Sequence, residues 1–445
     1  MNTLKLAPIL ALLVVAAARA GAQTPPPGEP ARPADGGARK IAIKMNPGAK
    51  NLVWFESLLA HPLVASQAVQ LVPFPDHSQF FILSRNGDLY NYQVPLESLA
   101  FNAVDSIEAT KKGQAFKGPG LRLKIDNVAG RADIGSIGMA LDPKFDQNRF
   151  VYIWYADKPD QNVALDRFTW GPDTAAVAKS RVTIISFSRE KPPKPYHMGG
   201  IVKFLADGTL LIASGDAERE ELSQDRKNLN GKLIRIRPRL GPEGGYDVPD
   251  DNPHVGDPEW RPEIVATGIR AAFRGFVDAG KSLVFADVGA VFEEINVWTG
   301  GAANYGWGLD HNLDGPTDRA GTTKPFLWWC QEKDFSGDDP DFSGEIRMSA
   351  FAGLRYSGDN DRYQGLLTGK VIWGDLMRGW LRAGDLDLVR GMPTHEHIGH
   401  LPFVTDMVQG KDGYIYCITC IGPGRLYRMR LTSDQAARPL PVSSR

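Results

Sequence analysis

Six times along this chain a turn of Asn, Asp or Gly runs into a short apolar or alternating strand. The instances are Asn86-Gly87-Asp88-Leu89-Tyr90, Gln147-Asn148-Arg149-Phe150-Val151-Tyr152, Asp207-Gly208-Thr209-Leu210-Leu211, Ala279-Gly280-Lys281-Ser282-Leu283-Val284, Thr368-Gly369-Lys370-Val371-Ile372 and Asp412-Gly413-Tyr414-Ile415-Tyr416. Each is a hairpin signal with a physical cause: Gly or Asn accepts a positive φ, and the residues after it suit a half-buried sheet. No long amphipathic helix interrupts the series. Small antiparallel sheets repeated without helices protect their edges best when set radially. The expected fold class is therefore all-β, a six-bladed β-propeller over residues 41–432. A pair of β-sandwiches is the alternative, because the repeats are unevenly spaced.

The flanks carry different signals. Lys5, the apolar run Ile9 to Ala18 and small residues at Ala18, Ala20 and Ala22 give residues 1–22 the layout of a cleaved signal peptide. That run is shorter than the roughly 20 residues that span a bilayer, so a membrane span is not expected; an uncleaved interfacial anchor is the alternative. Residues 23–40 are a Pro/Gly-rich linker and 433–445 a polar tail. The expected location is the periplasm or outside the cell. Basic and acidic residues number 51 and 52, a net charge of -1. No charge excess supports binding to nucleic acid or to an anionic membrane. Three cysteines exclude a disulfide-rich scaffold. Cys417 and Cys420 lie about 10 Å apart if the segment is extended, beyond disulfide reach, and read as core residues.

Chemistry has to be sought in local constellations. The most informative is Tyr196-His197-Met198-Gly199-Gly200, followed by the turn Asp207-Gly208 and by Ser214-Gly215-Asp216. A histidine before two glycines is little crowded, and the hairpin returns the chain so that Asp216 reaches the same end as His197. A carboxylate beside an imidazole sets its tautomer and supports the charge it gains as a general base. A structural histidine fits the same residues. His395-Glu396-His397-Ile398-Gly399-His400 sets alternate imidazoles on one strand face, a possible zinc or copper site or simply a polar segment before the last blade. Asp310-His311-Asn312-Leu313-Asp314-Gly315 lacks the spacing of a calcium loop and reads as a plain loop. Phe326-Leu327-Trp328-Trp329 reads as core packing between blades.

Several motifs in order resemble those of the soluble, quinone-dependent glucose and sorbosone dehydrogenases. They are His197-x-Gly199-Gly200 with its Asp-Gly hairpin and Gly215-Asp216; Gly135-Ser136-Ile137-Gly138-Met139-Ala140-Leu141-Asp142-Pro143-Lys144-Phe145; Asn230-Gly231-Lys232-Leu233-Ile234-Arg235-Ile236; Arg261-Pro262-Glu263-Ile264 with Gly268-Ile269-Arg270; Asp287-Val288-Gly289; Glu293-Glu294-Ile295-Asn296; and Asn304-Tyr305-Gly306-Trp307. The resemblance covers roughly residues 70–430. It implies a six-bladed propeller that oxidises an aldose, or a related sugar alcohol, to a lactone with pyrroloquinoline quinone (PQQ) and Ca2+. On that basis His197 takes the hydroxyl proton, Asp216 orients it, and Arg270 faces the quinone oxygen. The backbone carbonyls of Val288 and Gly289 match the family's calcium turn, with Glu293 and Glu294 as alternative or structural ligands. The implied partners are a small-molecule sugar and an electron acceptor.

Departures fall on the cofactor grip. A lysine and two arginines that hold the acidic cofactor in the glucose-oxidising branch become Met377, Phe403 and Thr405 here. An asparagine becomes Ala271, and a substrate-side glutamine becomes Asp133. Losing three cations removes charge-assisted hydrogen bonds to a tricarboxylate, unless Arg274, Arg378 and Arg382 rebuild them. The competing expectations are a non-catalytic propeller that binds a glycan or protein, and a calcium-dependent lactonase or hydrolase on the same scaffold.

Overall fold

The computed structural model describes residues 51–60, 68–76, 79–93, 120–130, 133–158, 161–191, 194–309, 320–330, 349–387, 391–420 and 425–433. The expected signal peptide and linker, nearly all of the expected tail and the 310–315 segment lie outside these residues.

Short strands punctuated by tight turns assemble into six antiparallel sheets, the blades of a propeller. Blade one consists of Ala68–Pro73, Gln79–Ser84, Asp88–Gln93 and Gly120–Lys124, and blade two of Ser136–Leu141, Phe150–Ala156, Val163–Thr169 and Val182–Phe187. In blade three Ile201–Phe204, Leu210–Ala213, Leu233–Pro238 and Ile264–Thr267 are extended by Ala303–Asn304, which pairs in parallel. Blade four is Ala272–Asp278, Ser282–Asp287, Phe292–Trp298 and Leu327–Cys330; blade five is Ala350–Arg355, Val371–Asp375, Trp380–Asp387 and Gly391–His400. Blade six joins Val404–Gln409, Ile415–Thr419 and Arg425–Leu431 to Val53–Ala60 from the other end of the chain. That pairing closes the ring, so each blade is flanked by another on both sides.

Apolar residues of successive blades interdigitate. Trp329 of blade four, fully buried, packs at 5.3 Å from Trp373 and 5.4 Å from Trp380 of blade five. The first strands of neighbouring blades pack side by side around the axis. There Arg274 acts as a hub. Its Nε donates to Thr405 O (2.8 Å) and its Nη1 to Ile137 O (2.9 Å), Gly200 O (3.2 Å) and Phe273 O (2.8 Å). Its Nη2 donates to Val69 O. One guanidinium thus ties together main chain from blades one, two, four and six and the segment entering blade three. Burial pulls its pKa down to about 10, while Asp406 opposes the shift.

Most hairpin signals are placed as expected, with two differences. Asp207-Gly208, Ala279-Gly280, Thr368-Gly369 and Asp412-Gly413 join first to second strands, and Gly208 has φ +79°. Gln147-Asn148 instead lies in a short helix, Phe145–Asn148, whose exit is made by Arg149 at φ +60°. Asn86-Gly87 joins second to third strands and therefore sits at the opposite end of its blade from the others.

Candidate active site

Alternation of strand direction puts the start of each first strand, the end of each second and the start of each third at one end of the ring. His197 precedes the first strand of blade three and Asp216 follows its second; Arg270 precedes blade four, and Val288 and Gly289 follow that blade's second strand. Asp133 precedes blade two, Met377 and Arg378 follow the second strand of blade five, and Phe403 precedes blade six. Residues spread over 270 positions of sequence thereby share one mouth.

The glycines act differently from the sequence expectation. They permit close main-chain approach rather than clearing the imidazole. A Cβ on Gly199 would lie 2.2 Å from Ala213 O, and one on Gly215 would lie 2.1 Å from His197 O. This contact is stitched by Gly215 N–H to Met198 O (3.0 Å) and Ala217 N–H to His197 O (3.2 Å), and Asp216 N–H reaches Arg270 O of the next blade (2.8 Å). His197 itself is held at φ +55°, with its N–H donating to Asp133 Oδ2 (2.7 Å).

The His197 ring meets Asp216 as Nδ1···Oδ1 at 2.7 Å, and the imidazole is 16% exposed against 1% for the carboxylate. Asp216 has two further partners: Oδ1 also accepts from Glu218 N–H (2.7 Å), and Oδ2 accepts from Trp307 Nε1 (2.8 Å). Burial alone would raise its pKa, but His197, Arg270 and the Trp307 indole outweigh that and hold it below the usual carboxylate range. An ionised acceptor fixes the proton on Nδ1 and leaves the lone pair on Nε2. Trp307, quoted above only within the Asn-Tyr-Gly-Trp motif, is thus a member of the site.

Arg270 lies across from this pair. Its N–H and that of Ala271 donate to Asp287 Oδ2 (2.9 Å) and Oδ1 (2.6 Å), and burial pushes Asp287 up to about 6. The guanidinium sits 5.3 Å from the Trp307 ring and donates from Nη1 to Val288 O (2.7 Å). Its Nε is buried without a protein partner. That orphaned donor fits an oxygen acceptor such as a quinone carbonyl. The calcium expectation fits less well. Val288 O is taken by Arg270, Glu293 Oε2 accepts Ala350 N–H of blade five (2.7 Å), and Glu294 Oε2 accepts from Asn296 (3.1 Å). Both glutamates serve structural bonds. Among the described residues no cluster of three His, Cys, Asp or Glu forms a metal site.

The grip residues divide. Thr405 is buried, its hydroxyl directed to Ala68 O (3.2 Å) and Ile418 O (3.3 Å), so it belongs to the blade contacts and not to the mouth. Arg274 is consumed on the axis. Arg382 donates to His395 Nδ1 (3.1 Å) in the outer part of blade five. Arg378, beside Met377 and half-buried with it, is the cation of that trio left at the mouth. Asp133 is there as well. Burial raises its pKa against the pull of His197, Arg189 and Arg270, and its Oδ1 has no protein partner. The three-histidine segment does not converge: Arg382 binds His395, while His397 meets Asn51 (2.9 Å) and His400 meets Arg378 O (2.8 Å). Cys417 is buried, Cys420 is partly so, and both are free.

The fold is a six-bladed propeller that carries a carboxylate-backed histidine and an arginine at one mouth. The glucose/sorbosone dehydrogenase family profile matches residues 66–428, and the chain belongs to that family. It is 29% identical over 235 residues to the HIPL1 protein of Arabidopsis thaliana, covering 41% of this chain and 34% of that one, so the match spans about a third of that relative. It is 26% identical over 406 residues to the aldose sugar dehydrogenase YliI of Escherichia coli, covering 87% of this chain and 95% of the relative. The PQQ-bound aldose sugar dehydrogenase of Streptomyces coelicolor superposes with a TM-score of 0.60 at 17% identity, over 85% of this chain and 98% of that one. This last likeness is one of fold. Among the described residues no helix is long and apolar enough to cross a membrane.

Proposed function

We propose that the protein oxidises an aldose or related sugar alcohol to the lactone, with His197 as general base. The observation that carries this is the Nδ1 contact to the buried Asp216 carboxylate (2.7 Å), which commits Nδ1 and leaves Nε2 to accept a hydroxyl proton. When bound, PQQ supplies the acceptor for the hydride that leaves the anomeric carbon. Arg270 would hold it through the orphaned Nε, with Arg378 toward its carboxylates. Asp216 supports the imidazolium as it forms, and Arg270 stabilises negative charge growing on a nearby oxygen. No step is assigned to calcium. The leader composition supports export, and an external electron acceptor completes the cycle.

Trp307→Phe tests the orienting shell: without the indole donor, Asp216 is held less firmly and turnover should fall about tenfold, equivalent to about 1.4 kcal/mol. Steady-state rates with an artificial dye acceptor measure this; a rate equal to wild type would remove Trp307 from the site. The broader test is calorimetric titration with PQQ, with and without Ca2+, followed by dye-linked assays over an aldose panel. Binding with turnover is expected. No heat at high micromolar cofactor would sink the dehydrogenase reading. It would favour a glycan- or protein-binding propeller, the alternative supported by Met377, Phe403, Thr405 and Ala271 and by the diversion of Arg274 and Arg382.

A further inference from the structure

The segment that leads to His197 is poor in donors for a sheet ladder, because Pro192, Pro193 and Pro195 have no N–H. Yet His197 is held at φ +55°, a conformation that persists only where the surroundings fix it. Side chains do so from two directions. Arg189 lies just past the outer strand of blade two and is 1% exposed. Its Nη1 donates to Lys194 O (2.8 Å) and its Nη2 to Tyr196 O. Asp133, which precedes the first strand of the same blade, accepts the His197 N–H at Oδ2 (2.7 Å).

Tyr196 O and His197 N–H belong to one peptide group. A buried guanidinium therefore holds its oxygen and a carboxylate its hydrogen. The group is planar and rigid, so bonds at its two opposite edges fix its tilt. A rotation of that plane would change φ of His197 and swing the imidazole away from Asp216, which it meets at 2.7 Å. The two holding groups also support each other. Burial lowers the pKa of Arg189 and raises that of Asp133, and the charge of each opposes the shift of the other. Neither side chain hydrogen-bonds the imidazole ring among the described residues.

We propose that Arg189 and Asp133 are positioning residues for the general base, acting together through the Tyr196–His197 peptide to hold the imidazole against Asp216. The proposal rests on His197 being the base. It gives Asp133 a part that requires no contact with the sugar, so loss of either residue should lower kcat and leave KM in place.

Arg189→Met, Asp133→Ala and their double variant test this with two readouts. Without cofactor, the low-field NMR signal of the His197 Nδ1–H bonded to Asp216, assigned by its loss in His197→Asn, should broaden or move upfield in each. With PQQ and a dye acceptor, kcat per folded molecule should fall about 10- to 100-fold in both single variants, the scale of a misplacement of about 1 Å, with KM within about twofold of wild type. Both residues act on one peptide, so the double variant should be within about twofold of the slower single. Arg189→Lys keeps the charge and can bond only one carbonyl well; it should lie between, and it carries both readouts if Arg189→Met fails to fold. A wild-type signal with wild-type kcat would reduce Arg189 to a stabilising role and overturn the proposal. Losses that multiply in the double variant would overturn it too, as would a change confined to KM, which would make Asp133 a substrate contact. A wild type inactive on every aldose overturns the dehydrogenase reading instead, and the cofactor-free signal still decides whether the two residues position His197.

Discussion

Replacing His197 with alanine should lower dye-linked aldose oxidation roughly 100- to 10,000-fold, the range contributed by a positioned general base, while shifting Tm by no more than about 2–4 °C. The small stability change follows from the site. The ring's hydrogen bond is to Asp216, and that carboxylate keeps Trp307 Nε1 and Glu218 N–H when the imidazole is gone. The His197 main chain, at φ +55°, still bonds Asp133. His197→Asn is the control for backbone strain, because asparagine enters the left-handed region more readily than most residues. It should be as inactive as alanine and at least as stable. Wild-type turnover in either variant, or a loss of several kcal/mol in both, would return His197 to a structural role.

Arg274→Met should destabilise the protein by at least about 3–5 kcal/mol in urea denaturation, since leaving even two of its buried carbonyls without a donor costs about 1–3 kcal/mol each. Methionine fills a similar volume but donates nothing. The carbonyls of Val69, Ile137, Gly200, Phe273 and Thr405 would lose a donor together, and Asp406 would keep Lys203 as the remaining cation acting on it. Asp406 is also held by Leu71 N–H (3.0 Å) and Met407 N–H (3.0 Å). Arg274→Lys retains the charge but has three donors in place of five, so it should fall between wild type and methionine. A midpoint for Arg274→Met within about 1 kcal/mol of wild type would mean that water replaces the guanidinium at little cost.

Much of the site was legible locally. His197, Gly199, Gly200 and Asp216 stand on one hairpin, and a hairpin's ends are neighbours by construction, so their pairing could be read from spacing. Trp307 lay in a recognisable motif, but its role depends on a bond to a residue 91 positions away. The cofactor residues were the least legible. Thr405, Arg274 and Arg382 all occur near mouth-forming segments in sequence. Whether such a side chain turns to the mouth, the axis or the outer blade depends on strand phase and on what the neighbouring blade presents.

The sequence by itself determined the repeated hairpins, the all-β class and the family motifs, because turn chemistry and strand pattern act over a few residues. Only the tertiary structure decided that Val53–Ala60 closes blade six, that one arginine ties the axis, and that Glu293 accepts Ala350 N–H of the next blade while Glu294 accepts from Asn296. The physical reason is common to all three. A buried donor or acceptor must find a partner once water is excluded, and the available partners are set by which blades meet around the ring.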